Sequence, residues 1–252
     1  MKLKKIFRDK KPTMIAFVVV TVIFAGVFFF MSHYYVYVLN QFYEIDSSYI
    51  EVDFFSEKNR LRTLSNFDHF TNLEEIRFSF VSNTDDLNDM SDLNTVKSFS
   101  IACSDIGDAS FLERLHGLEK IHLVETFIDC NQFSIDTLSS MDFITCNIKN
   151  IDSLKKMNSL TELKLFQCDF SGVEIVSDKY ILQDSSAFSE LHSVKKLMIG
   201  KTVIEDIKGF LNMESLETIC IDQYCITDEQ IDRLMSAGIQ VELQEREIEG
   251  SN

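Results

Sequence analysis

Three side chains able to move protons or carry charge recur at nearly even intervals: His122, Asp142 and Lys164 stand 20 and 22 residues apart. A histidine beside a carboxylate can serve as a general base, and a lysine next to both can hold an anion. The chain adds six cysteines, Cys103, Cys130, Cys146, Cys168, Cys220 and Cys225. Zinc or dithiol chemistry wants a CxxC pair or a Cys/His cluster, and only Cys220 and Cys225 are close, so no metal site is expected. Their even number permits disulfides outside the cytoplasm, although the spacing demands none. No G-x-S-x-G, H-E-x-x-H or G-x-x-x-x-G-K-S/T pattern occurs anywhere in the 252 residues, and no cofactor is expected.

Whether the three side chains meet depends on the elements that carry them. Two apolar residues flanking one polar or small position recur as Val52/Phe54, Ile76/Phe78, Phe99/Ile101, Ile121/Leu123, Met141/Phe143, Leu163/Leu165, Leu197/Ile199, Ile219/Ile221 and Val241/Leu243. The steps between them are 24, 23, 22, 20, 22, 34, 22 and 22 residues. A period of 20–29 residues of this kind predicts a solenoid in which each coil adds one short strand, about nine parallel strands in all. The return side of each coil has apolar residues every three positions, as in Phe67-x-x-Phe70-x-x-Leu73-x-x-Ile76 and Ile151-x-x-Leu154-x-x-Met157-x-x-Leu160-x-x-Leu163. That spacing fits 3₁₀ or short helical turns packed inward.

On these motifs, and best on residues 141–170, the chain resembles the leucine-rich-repeat family, specifically the 22-residue type of bacterial internalins. The resemblance covers about residues 50–243. It implies an α/β solenoid, and it implies a polar ladder position filled here by Ser104, Thr126, Cys146, Cys168 and Thr202, with Val81 and Tyr224 departing from the pattern. Small polar groups there would pair backbone left open at the turns, which makes Cys146 and Cys168 ladder thiols. A weak S–H in that place should hold its turn more loosely than the Asn of the family pattern.

Residues 1–13 form a basic tail with Lys2, Lys4, Lys5, Arg8, Lys10 and Lys11 against the single acid Asp9, and no charged residue follows from Pro12 to Tyr43. Residues 14–38 therefore read as one transmembrane helix, long enough for a hydrocarbon core of roughly 30 Å. A cleaved signal peptide would have a shorter apolar core and a small-x-small site, and none follows Met31. Positive charge stays cytoplasmic, so the remainder, with 18 basic and 39 acidic residues, is expected outside the cytoplasm of a single-pass membrane protein. The overall charge of −16 argues against nucleic acid as a partner.

The remaining boundaries follow from turn and cap signals. Residues 39–49 read as a spacer and 50–226 as the solenoid, with 12 extra residues inserted near 169–190. Thr227-Asp228-Glu229-Gln230 has the form of a capping box. Residues 227–252 then give a closing helix stopped at Gly238, a last strand, and an acidic stretch shielding the edge.

Alternation along the strands turns the middle of each apolar pair, and the residue after it, toward solvent. His122, Asp142 and Lys164 then fall on adjacent strands about 4.8 Å apart. With no nucleophile, metal cluster or phosphate loop expected beside them, charge pairing along the ladder accounts for them and catalysis is not expected. Ala102, Val124, Ile144 and Phe166 place four apolar residues where solvent favours polar ones. The expected function is a membrane-anchored module that binds a protein or cell-envelope partner through this face, Ala102, Val124, Ile144, Phe166, His122, Asp142 and Lys164 being its candidate contacts. An enzyme or enzyme-regulatory subunit using His122 and Asp142, and a structural spacer, are the alternatives; the sequence does not set the oligomeric state.

Overall fold

The computed structural model describes residues 3–38, 41–55, 64–81, 87, 90–106, 109–132, 135–170 and 180–244. It opens with a single helix, α1 (Leu3–Tyr34), followed without a break by an antiparallel hairpin of Tyr35–Val38 (β1) and Gln41–Glu44 (β2). Coil by coil the chain then lays down Tyr49–Asp53 (β3), Glu75–Ser79 (β4), and Ser98–Ala102 (β5) with the short Asp105–Ile106 (β6). Lys120–Val124 (β7) carries Phe127–Asp129 (β8), Ser140–Ile144 (β9) carries Asn147–Lys149 (β10), and Glu162–Phe166 (β11) carries Ile181–Leu182 (β12). Lys196–Gly200 (β13) with Val203–Ile204 (β14), Thr218–Asp222 (β15) and Gln240–Gln244 (β16) complete the array.

The main sheet has nine strands in the order β16-β15-β13-β11-β9-β7-β5-β4-β3, every neighbour parallel. Sequence neighbours are space neighbours throughout, as a stack of coils requires. The second side carries β10-β8-β6 and the pair β12-β14. The return side is made of 3₁₀ turns at Ser65–His69, Ser110–Arg114, Ile151–Lys156 and Ser186–Glu190, and of a four-residue helix, α2 (Lys208–Leu211). Phenylalanines run through the core edge to face, Phe67–Phe78, Phe78–Phe99 and Phe99–Phe111 at one end and Phe170–Phe188–Phe210 at the other, with centroids 5.1–6.3 Å apart. Gly209 is obligatory in this packing, because a Cβ there would overlap the carbonyl of Ser185, whose hydroxyl already accepts the Gly209 N–H.

Ladder residues close the turns after β5, β7, β9 and β11. Ser104 Oγ donates to the Ala102 carbonyl at 2.7 Å and accepts the Val81 N–H at 3.0 Å; Thr126 Oγ1 donates to Val124 at 2.8 Å. The Cys146 thiol reaches the carbonyls of Leu123 and Ile144 at 3.3 Å, and the Cys168 thiol those of Phe143 and Phe166. Tyr224 falls outside this scheme: it is exposed in the turn Gln223–Cys225, and the buried neighbour Cys225 takes the inward place. No disulfide joins the described cysteines.

Three expectations are corrected. The helix ends at Tyr34 instead of 38: Tyr35-Val36-Tyr37-Val38 alternates with the strand period, and Val36 and Val38 are buried in the first coil's core; within the expected spacer, Gln41–Glu44 is the strand paired with it, and residues 39 and 40 lie outside the described residues. The first coil is registered on Ile50/Val52, which pair with Ile76/Phe78, not on Val52/Phe54. Phe54 and Phe55 instead form the turn, held by the Phe55 N–H on Asp53 Oδ1 and the Phe54 N–H on the Ser79 carbonyl. The extra segment is also shorter than 169–190, since Asp169 bridges Asn147 and Ile181–Glu190 are coil residues; its positions 171–179 lie outside the described residues.

At the far end, α3 (Asp228–Ser236) starts on a complete capping box: Gln230 N–H bonds Thr227 Oγ1 and Thr227 N–H bonds Gln230 Oε1. Gly238 follows at φ +88°, the left-handed stop glycine provides, and leads into β16. The acidic stretch beyond Gln244 lies outside the described residues.

Candidate binding face

The register decides which side chains share the solvent face. One column reads Glu51, Arg77, Ser100, His122, Asp142, Lys164, Met198, Cys220, Glu242 across the nine strands. The next reads Asp53, Ser79, Ala102, Val124, Ile144, Phe166, Gly200. Ala102, Val124, Ile144 and Phe166 thus stand in register on β5, β7, β9 and β11, each half-buried.

Asp142 is the hub of the charged column. Its Oδ2 lies 3.6 Å from His122 Nδ1, and Lys164 Nζ lies 3.3 Å from its Oδ1. Partial burial pushes the Asp142 carboxyl up, but hydrogen bonding from His122 and the charge of Lys164 outweigh it and hold the group below its ordinary value. Ser100, which counting along the repeat also puts in this column but to which the sequence reading gave no role, stands beside His122, so that the column reads Ser-His-Asp. The signal was in the column itself, one strand before His122.

Acyl-transfer chemistry needs more than that order. The backbone amides of β5, β7 and β9 are engaged in ladders to strands on both sides, which leaves none to stabilise an oxyanion beside Ser100. Lys164 moreover shares the carboxylate that would orient the imidazole. The arrangement orders charge across the face.

At the stripe's end Phe166 meets Gly200, its register partner on β13. The ring lies over the glycine so closely that a Cβ at position 200 would overlap Cδ2 and stand 2.8 Å from Cε2. Lys201 Nζ also lies over the ring, 4.9 Å from its centroid. Phe166 is therefore held in place by its own solenoid, whereas Val124 and Ile144 have no such clamp.

Beyond the stripe the backbone turns in a repeated way. Phe80, Cys103, Glu125, Thr145, Gln167 and Lys201 all adopt φ between 49° and 58°. From Phe80 to Gln167, each N–H donates to the stripe-column carbonyl of the next coil, Ala102, Val124, Ile144, Phe166 and Gly200, at 2.8–2.9 Å. Left-handed backbone is costly for these residue types, and the inter-coil bonds compensate. An open groove of about 700 Å³ runs beside these turns, lined by Cys103, Asp105, Glu125, Phe127, Thr145 and Asn147. The Cys103 thiol donates to Glu125 at 3.3 Å, and burial together with that carboxylate raises its pKa, so it is not a poised nucleophile. Among the described residues no group of three or more His, Cys, Asp or Glu could hold a metal ion.

No protein-family profile and no curated protein matches the chain. Among solved structures, internalin C2 of Listeria monocytogenes is similar over 72% of this chain and 74% of its own, at 13% identity and a TM-score of 0.49. Internalin F of the same organism is similar over 83% of this chain and 66% of its own, at 16% identity and a TM-score of 0.42. What fixes the fold is the chain's own geometry. Nine parallel strands one coil apart, 3₁₀ returns and a hydrogen-bonded polar ladder make this protein a leucine-rich-repeat solenoid.

Proposed function

We propose that the protein is a membrane-anchored binding module whose solenoid, outside the cytoplasm, recognises a protein or cell-envelope partner through its strand face. The observation that carries the reading is the in-register apolar stripe on four successive strands, flanked by the ordered polar side chains of His122, Asp142 and Lys164. Apolar anchors inside a polar rim are how binding faces concentrate their energy. Anchoring is supported by the window Phe17–Tyr34, with mean hydropathy 2.0 and no buried residue, and the orientation by the basic tail before it.

The test is capture of the partner by crosslinking in native membranes, with the wild type compared against Val124→Ser plus Ile144→Ser. Two anchors at about 1–2 kcal/mol each should cost on the order of 100-fold in affinity. An unchanged partner profile would remove the binding role from this face. Protease added to intact spheroplasts should remove a C-terminal epitope, and full protection would reverse the orientation.

A further inference from the structure

The passage from helix to solenoid has no tether. α1 ends at Tyr34 and β1 begins at Tyr35; the Ile45 N–H donates to the Tyr34 carbonyl at 2.9 Å, and Asn66 Nδ2 to the Tyr37 carbonyl at 3.0 Å. One face of the hairpin, Val36 and Val38 with half-buried Tyr43, closes the core of the first coil. The other face presents Tyr37 and Phe42, register partners with rings 4.8 Å apart, 47% and 56% exposed. Glu44 is the only charged residue from 35 to 44.

That second face looks back along the helix. Tyr35, Tyr37 and Phe42 share a cleft of about 560 Å³ with Phe24, Val27, Phe28 and Met31, while Asn66 and His69 also line it. Phe24 precedes Tyr34 by ten residues, so the cleft reaches about 15 Å down the helix axis. One wall of the cleft is therefore part of the apolar span itself, and whatever medium surrounds the span also fills the cleft. The helix has 32 residues, about 48 Å against a hydrocarbon core of roughly 30 Å, so the bilayer surface need not coincide with its last turn.

Resting on the anchor reading above, we infer that the outer face of the 35–44 hairpin is a membrane-docking surface. Tyr37 and Phe42 sit in the interface of the leaflet from which the helix emerges, and lipid chains fill the cleft. Aromatic side chains with an apolar body suit that depth. The solenoid is then held at a fixed angle to the membrane instead of swinging on a leash.

The chain contains no tryptophan, so a substituted one is a sole reporter. Phe42→Trp, Tyr37→Trp, Phe24→Trp and Tyr224→Trp versions of the full chain would be reconstituted into phosphatidylcholine vesicles carrying bromines near either the headgroup or the chain end. The expected result is blue-shifted emission from Trp at 42 and 37, quenched by headgroup-proximal bromines. Trp at 24 should be quenched from deeper, and Trp at 224 should be neither shifted nor quenched. Quenching at 24 with none at 42 and 37 would overturn the docking surface and leave the anchor standing. No quenching at 24 would overturn both. A blue shift at 42 without lipid quenching would mark a protein contact and overturn the proposal as well.

Discussion

Replacing Gly200 by Ala should change sign with the residue at position 166. In the wild type a Cβ at 200 runs into the Phe166 ring, which must leave its place against Gly200 and Lys201. A buried aromatic covers about 150–250 Å², so a half-buried one loses about 100 Å², or about 2.5 kcal/mol of apolar burial as an upper figure. The exposed cation–π contact adds about 0.5–1 kcal/mol. Phe166→Ser should then cost about 2–3 kcal/mol, which for a chain of this size lowers Tm by about 5–10 °C. Gly200→Ala alone should cost about 1–2 kcal/mol, because displacing the ring is partly offset by the roughly 0.5–1 kcal/mol gained when Ala replaces Gly in a strand. In the Phe166→Ser background the obstacle is gone, and the same Gly200→Ala should stabilise by about 0.5–1 kcal/mol. The cycle, read by thermal melts or urea titration of all four proteins, should show a coupling of about 2 kcal/mol. Strict additivity would mean that the ring is not seated on Gly200, and the separation of Phe166 from the freely presented Val124 and Ile144 would fall with it.

Three further outcomes follow from the same geometry. Thr145 is β-branched at φ 54°, so Thr145→Asn should stabilise by about 1 kcal/mol and raise Tm by about 2–4 °C; a lower Tm would show that its side chain matters more than its backbone. The Asp142 carboxyl is held below its unfolded value, so it contributes stability above the ordinary carboxylate range and loses it as pH falls below about 4. Asp142→Asn should accordingly show a smaller fall in Tm between pH 7 and pH 3 than the wild type, and an equal fall would refute the pairing. Burial pushes the Cys146 and Cys220 thiols up to about 11, and Cys130 and Cys168 higher still, whereas Cys103 is partly exposed. A disulfide reagent at pH 8 should react with Cys103 before the buried thiols, and that first phase should be lost in Cys103→Ser; a buried thiol reacting as fast as Cys103 would contradict the packing.

The coil repeat was legible in the sequence because it is redundant: eight of nine apolar pairs could be registered from their neighbours, and the stripe came with the register. The exceptions are where redundancy ends. The first coil has a neighbour on one side only, and Val52-Asp53-Phe54 satisfies the pattern as well as Ile50-Glu51-Val52 does. What separates them is the hydrogen bonding of Phe54 and Phe55 in the turn, a tertiary fact. Just before that coil, Tyr35–Val38 is apolar enough to prolong a helix, and its strand period shows only once hydropathy is set aside for alternation. Counting puts His122, Asp142, Lys164 and also Ser100 in one column; what it does not give is which of these side chains engage one another. The clamp on Phe166 depends on an absent side chain, since glycine at 200 reads as an ordinary small residue until the ring is seen resting on it. Periodicity thus specifies where a side chain points, while what it touches is set by the exceptions to the period: a glycine in a strand, a left-handed turn at a threonine, a strand where a helix should have continued. At those exceptions the stripe divides into a part the solenoid clamps and a part it leaves unclamped.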